Sequence, residues 1–173
     1  MKGVAWDPVG TYLASQSDDH SVIVWRCEDW TPVARLTEPY KRSKGSTYSL
    51  RLCWSPDGQS VTTTNGYDHN NPTAPVLMRG EWTVRVCKCW APNTCSWISP
   101  SRHRLKPFID QGASIQICGH QAPVVVVRYN PRLFHRPEGD DKHSSKTCAV
   151  FAMGSQDKQA RFRKRLSCAV CPN

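Results

Sequence analysis

The chain has 173 residues and a formal net charge of +9, from 23 Lys and Arg against 14 Asp and Glu. At 39% hydrophobic and 21% charged residues the composition is that of a somewhat polar folded chain and excludes a disordered one. No run of about 18 apolar residues occurs, which excludes a membrane-spanning helix, and Met1–Pro8 lacks the apolar stretch of a usual secretory signal.

Along the chain, apolar alternation predicts strands near 3–7, 12–16, 21–26 and 32–36, followed by a polar loop at 37–48 that carries Lys41-Arg42-Ser43-Lys44-Gly45. Further strands are expected near 49–54, 60–64 and 74–78, with Ala113–Cys118 as the fourth strand of that unit. A third unit runs from Pro123 to Tyr129, then a long loop at 131–146, a strand at 147–155 and a degraded strand after Asp157. Stretches of helical period are absent.

These units repeat. Val4-Ala5-Trp6-Asp7-Pro8-Val9-Gly10 aligns without a gap on Leu52-Cys53-Trp54-Ser55-Pro56-Asp57-Gly58, at an offset of 48 residues. A third copy starts at Val127-Arg128-Tyr129-Asn130-Pro131, with Tyr129 in place of the Trp. Each copy reads as a strand entering a tight turn in which Pro presets φ, and in the first two a Gly supplies a positive φ. The large aromatics Trp6, Trp25 and Trp54 are expected to fill blade interiors. Gly119-His120, the turn residues Asp19 and Asp157, the hydroxyl of Ser15 and the strand-end Trp25 are the ingredients of a WD40 blade, in which His, Asp, hydroxyl and indole form one hydrogen-bonded chain. No single copy holds the full set. The first lacks its Gly-His, and the third has Arg163 where the Trp belongs. The expected fold is therefore all-β: a partial WD40 β-propeller of about three four-stranded blades, its ring not closed because rings take 4–8 blades. The chain accordingly reads as a fragment or a shortened gene product.

The order of these motifs is more specific than any one of them. Lys2–Asp19, Leu50–Gly58, Pro72–Leu77, Gly119–Phe134 and Ala152–Asp157 together resemble the WD40 domain of the HIRA family of replication-independent histone chaperones. The likeness covers about 130 residues. It implies a nuclear scaffold within a complex that deposits histones H3–H4 and represses transcription, with a ubinuclein-type subunit as partner and no chemistry of its own. Direct DNA binding and membrane binding are not expected. Two stretches depart from the family, 83–111 and 159–173, and each carries a net charge of +4. The organisation is then blade one at 1–36, the first three strands of blade two at 37–82, a basic Cys-rich insertion at 83–111, the last strand of blade two at 112–118, a partial blade three at 119–158 and a basic tail at 159–173. The insertion and tail read as a retained intron and a shifted frame or alternative exon. The rival readings are a WD40 module serving another assembly, such as a ligase adaptor or RNA-processing scaffold, and a truncated product without retained activity.

Site candidates follow from residue chemistry. Nine cysteines without an export signal point to reduced thiols in cytosol or nucleus. Cys168-Ala169-Val170-Cys171 has metal-ligand spacing, with Cys87, Cys89, Cys95 and His103 as further donors, but the absence of a second CxxC argues against zinc. Arg161–Arg165 is a basic cluster that reads either as a nuclear-localisation or phosphate patch or as a solvated tail. His20, His120, Asp18, Asp19, Asp57 and Asp157 are accounted for by turn chemistry, and no nucleophile elbow or phosphate loop occurs, so no enzyme and no cofactor are expected. Arg51 alternates with Leu50 and Leu52 on an inner strand and should point away from the packed side, to clamp a partner's acidic or backbone group or to form an ion pair between blades. The Asp18-Asp19-His20 turn and the 37–48 loop are further rim candidates.

Overall fold

Alternation in the first 36 residues builds a four-stranded antiparallel sheet from β1 (Gly3–Trp6), β2 (Tyr12–Gln16), β3 (Val22–Arg26) and β4 (Pro32–Leu36), in that spatial order. The four strands expected from the sequence are the four observed. The computed structural model describes residues 1–43, 47–82, 84–85, 115–118, 120–138 and 141–166, with 84–85, 115–118, 135–138, 141–146 and 162–166 described through their backbone alone. Among the described residues no α-helix occurs; the helical content is one 3-10 turn, Glu38–Tyr40.

The second sheet holds β5 (Cys53–Trp54), β6 (Ser60–Thr62), β7 (Gly66–Asp68), β8 (Asn71–Met78), β9 (Val84–Arg85) and β10 (Ile115–Cys118). Its order is β10-β8-β6-β5, with β7 and β9 also paired to β8. The expected fourth strand is β10, which joins β8 with Ile115 opposite Val76. The repeat seen in the sequence is a repeat in space. In the first unit Gly10 N–H donates to Asp7 C=O at 3.1 Å and Asp7 N–H to Tyr12 C=O at 2.9 Å. In the second, Gly58 N–H donates to Ser55 C=O at 2.9 Å and Ser55 N–H to Ser60 C=O at 2.8 Å. Gly10 and Gly58 have φ of +80° and +67°, a conformation that favours glycine and lets each turn close within six residues, Asp7 to Tyr12 and Ser55 to Ser60.

The third sheet corrects the sequence reading. β11 (Val124–Glu138) and β12 (Asp141–Ser155) form one long hairpin through the stretch 131–146 expected as a loop. The turn does not form because Leu133 stands where the other copies have Gly. Pro131 is accommodated at a break in register between Tyr129 and Leu133, after which pairing resumes with Leu133 opposite Ala149. β13 (Ala160–Leu166) pairs with β12, Arg163 lying opposite Phe151, so the sheet continues past the boundary drawn at 158.

The sheets stack face to face. Ala14, Val22, Val24, Leu52, Trp54, Val61 and Leu77 form a core between the first and second. Ala74, Val124, Val127, Phe151 and Met153 form another between the second and third. On the inner side, Arg51 joins the last two sheets through backbone: its N–H donates to Val125 C=O and its C=O accepts from Val127 N–H, both at 2.9 Å. This is an all-β array of unclosed blades, the geometry of a partial propeller.

Candidate functional site

The hydrogen-bonded blade chain is divided between two sheets. In the first, Trp25 Nε1–H donates to Ser15 Oγ at 2.9 Å, while Asp19 accepts from Ser21 N–H at 3.0 Å and from the Ser21 hydroxyl at 2.7 Å. The Ser21 hydroxyl, chiefly, and then its N–H hold the Asp19 carboxyl below the usual range. In the third sheet His120 Nδ1 lies 2.9 Å from Asp157, which also accepts from Gln121 and Gln159 N–H. His120 Nε2 is buried without a hydrogen-bond partner. Met153 is the reason, because it stands at the strand position that Ser15 occupies in the first sheet. Asp57 caps its own turn, accepting from Gln59 N–H at 3.0 Å and from the Ser55 hydroxyl.

Burial pushes the Asp157 carboxyl up, but its hydrogen bonds from Gln159, His120 and Gln121, with the charge of His120, outweigh that and bring it down to about 2. A carboxyl whose value falls from 3.8 to about 2 on folding contributes stability that is present above about pH 4 and lost as pH drops toward 2. Denaturant midpoints measured between pH 5 and 2 should fall across that window, and less so in D157N; an unchanged slope in D157N contradicts the assignment.

Two cavities flank the stack. The first, of about 220 Å³, lies on the rim between the first two sheets and is lined by Asp18, His20, Tyr40, Ser43, Leu50 and Asn65, among others. The rim stretches singled out in the sequence, the Asp18-Asp19-His20 turn and the 37–48 loop, meet here. His20 has φ of +59° and places Nδ1 at 3.0 Å from Tyr40 C=O and 2.9 Å from Ser43 Oγ. A carbonyl only accepts, so Nδ1 carries the proton. The loop is less polar than its composition implied, because Tyr40 is fully buried beneath it. Thr63 Oγ1 donates to Pro75 C=O at 3.0 Å, so the Tyr40 hydroxyl, 2.6 Å away, is the donor to Thr63. Burial, first, drives the Tyr40 phenol upward, against the Thr63 bond. Y40F should cost about 1 kcal/mol in urea unfolding, since Thr63 keeps its own acceptor; a loss above about 3 kcal/mol would show that the ring itself has repacked.

The second cavity, about 420 Å³, opens on the inner strands and is lined by Arg51, Arg128, Trp6, Pro8, Cys53 and Trp54, among others. Leu50 and Leu52 are buried while Arg51 is exposed. Among the described residues, neither Arg51 nor Arg128 has an ion pair or side-chain hydrogen bond. Arg128 was not singled out in the sequence; its place beside Arg51 comes from the β5–β11 junction. Trp54 is buried as expected, and Trp25 is partly buried. Trp6 is not core: it is 55% exposed and packs edge-on against Trp30, with ring centroids 5.9 Å apart. Trp54 lies against the first sheet, whereas Trp6 faces outward from that same sheet on its uncovered side.

Cys87, Cys89, Cys95, His103, Cys168 and Cys171 lie outside the described residues. Among the described residues no three His, Cys, Asp or Glu side chains are grouped as metal ligands, and Cys27, Cys53 and Cys148 are free thiols. Of the basic cluster, Arg161 through Arg165 run along β13.

Comparison with known proteins fits this geometry. The WD domain, G-beta repeat family matches residues 2–26, the first sheet's opening three strands. "Protein HIR1" of Cryptococcus neoformans is 33% identical over 157 residues, covering 91% of this chain and 14% of that protein. "Protein hir1" of Schizosaccharomyces pombe is 30% identical over 158 residues, 91% of this chain and 13% of its own length. "Histone transcription regulator slm9" of the same yeast is 27% identical over 135 residues, 78% of this chain and 13% of its own length. The chain thus spans about one-seventh of the length of the curated relatives it matches.

Proposed function

The chain is a HIR-family WD-repeat sequence, related to the HIR1 proteins over about nine-tenths of its own length, and on that premise we propose that it acts as a non-catalytic nuclear scaffold in replication-independent H3–H4 deposition and transcriptional repression. The partner is a ubinuclein-type subunit, and histones are reached through the complex. The observation that carries this reading is the extent of the similarity. It runs well beyond the 25 residues shared with WD repeats in general and takes in the second and third sheets. Rigid sheets that hold rim and inner-strand residues in fixed positions suit assembly, since binding elements are commonly loops on a rigid frame. A tagged protein carrying this chain, incubated with nuclear extract and analysed by mass spectrometry, should recover histone-chaperone subunits above an unrelated propeller control. Recovery of ligase or RNA-processing subunits instead would replace the reading.

A further inference from the structure

We propose that the inner-strand cavity is a docking site for an extended acidic peptide, gripped by Arg51 and Arg128 at alternate acidic positions. The inference does not depend on the chromatin role.

The backbone fixes the spacing. Arg51 lies opposite Val126 in a parallel bridge, and Arg128 is two residues further along β11. Side chains repeat every second residue in a strand, so Arg128 shares its side with Val126, about 6.6 Å further along. Carboxylates at positions i and i+2 of an extended peptide carry the same spacing. Both arginines line one cavity, neither is neutralised by a described acid, and Asp7, which lies in sequence between the lining residues Trp6 and Pro8, is buried and committed to Arg79. Unpaired guanidinium groups in a concave site favour carboxylate through charge-assisted, forked hydrogen bonds.

The walls decide between partner classes. Trp6, Pro8 and Trp54 give the cavity an apolar side, and about 420 Å³ is the scale of a site for a few side chains. Nucleic-acid tracks instead extend many cations along a backbone. A peptide alternating acidic and aliphatic residues satisfies both surfaces, placing its acids on the arginines and its aliphatic side chains on the apolar part of the lining.

The test uses a fluorescein-labelled, acetylated peptide of alternating Glu and Leu, its Gln–Leu counterpart, and a single-stranded oligothymidylate, each titrated by anisotropy against the full chain. The Glu–Leu peptide should bind, and the Gln–Leu peptide should bind at least tenfold more weakly. R51Q/R128Q should lose at least tenfold in affinity and flatten the salt dependence. R42Q, which removes one charge from an exposed loop position against two in the double variant, should change affinity less than twofold. Both arginine side chains are exposed, so an unchanged far-UV spectrum is expected for the double variant. Equal losses in R42Q, indifference to R51Q/R128Q, or tighter binding of the oligothymidylate would each overturn the proposal.

Discussion

Replacing Trp54 by Ala is expected to lower unfolding free energy by about 3–5 kcal/mol, whereas the same change at Trp6 should cost no more than about 1 kcal/mol. The two residues occupy the same place in the repeat: Trp6 lies opposite Leu13 across its hairpin, and Trp54 opposite Val61. Their surroundings differ. Trp54 is 4% exposed, meets Trp82 edge-on at 6.1 Å and donates its indole N–H to Ala5 C=O at 3.0 Å, a bond from the second sheet to the first. Truncation there opens a cavity between sheets and takes away the donor to a strand carbonyl. Trp6 is more than half exposed, so little burial is lost with it. Urea unfolding followed by far-UV circular dichroism separates the cases without relying on Trp fluorescence. Equal losses at the two sites would mean that the sheets are not held together by the buried indole, and the stacking described above would fail with it.

What could be read in the sequence was what is local. The first sheet is a run of hairpins, each closed by residues close together in the chain. The strand-turn unit at Trp6–Gly10 and its repeat at Trp54–Gly58 declared themselves because Pro and Gly restrict φ wherever they occur. The same logic misled at Pro131, which was read as the start of a loop; without a Gly two residues on, the chain absorbs Pro in a register break and keeps its strand. Trp6 was misplaced for a different reason. Repeat position sets which face a side chain takes, but burial depends on whether another sheet covers that face. Contacts between sheets left no local trace. Gln16 looked like an ordinary strand residue, yet its buried amide donates to Thr64 C=O and accepts from Thr64 N–H and hydroxyl at 3.2 and 3.0 Å, tying two sheets 48 residues apart. Tyr40 was hidden in a stretch polar enough to pass for solvent loop. At the inner cavity, Arg51 could be found from its alternation with Leu50 and Leu52, but Arg128 needed the β5–β11 junction.

The least legible contact has the second large effect. Arg79 follows β8 and extends its guanidinium to Asp7, 72 residues earlier, at 3.0 Å, and to Gly58 C=O at 3.2 Å, while stacking over the Tyr12 ring at 4.9 Å. It therefore ties the turn of the first sheet to the corresponding turn of the second. The Asp7 side chain is fully buried and that of Arg79 is 26% exposed, so water screens the pair poorly. Asp7 Oδ1 has no other partner, which leaves Arg79 as the compensation for a buried carboxylate. R79M keeps most of the aliphatic stem and removes the charge, and it should cost about 3–5 kcal/mol at pH 7, the usual loss when one member of a buried pair is deleted. The cost lies mainly in the stranded carboxylate rather than in the lost attraction. Hence D7N in the R79M background should recover part of the stability, although D7N alone is destabilising. A double-mutant cycle from urea midpoints reads this as a coupling energy above about 1 kcal/mol. Additive losses would show that the two turns are held by packing around Tyr12 and Trp82 alone, with the ion pair a bystander.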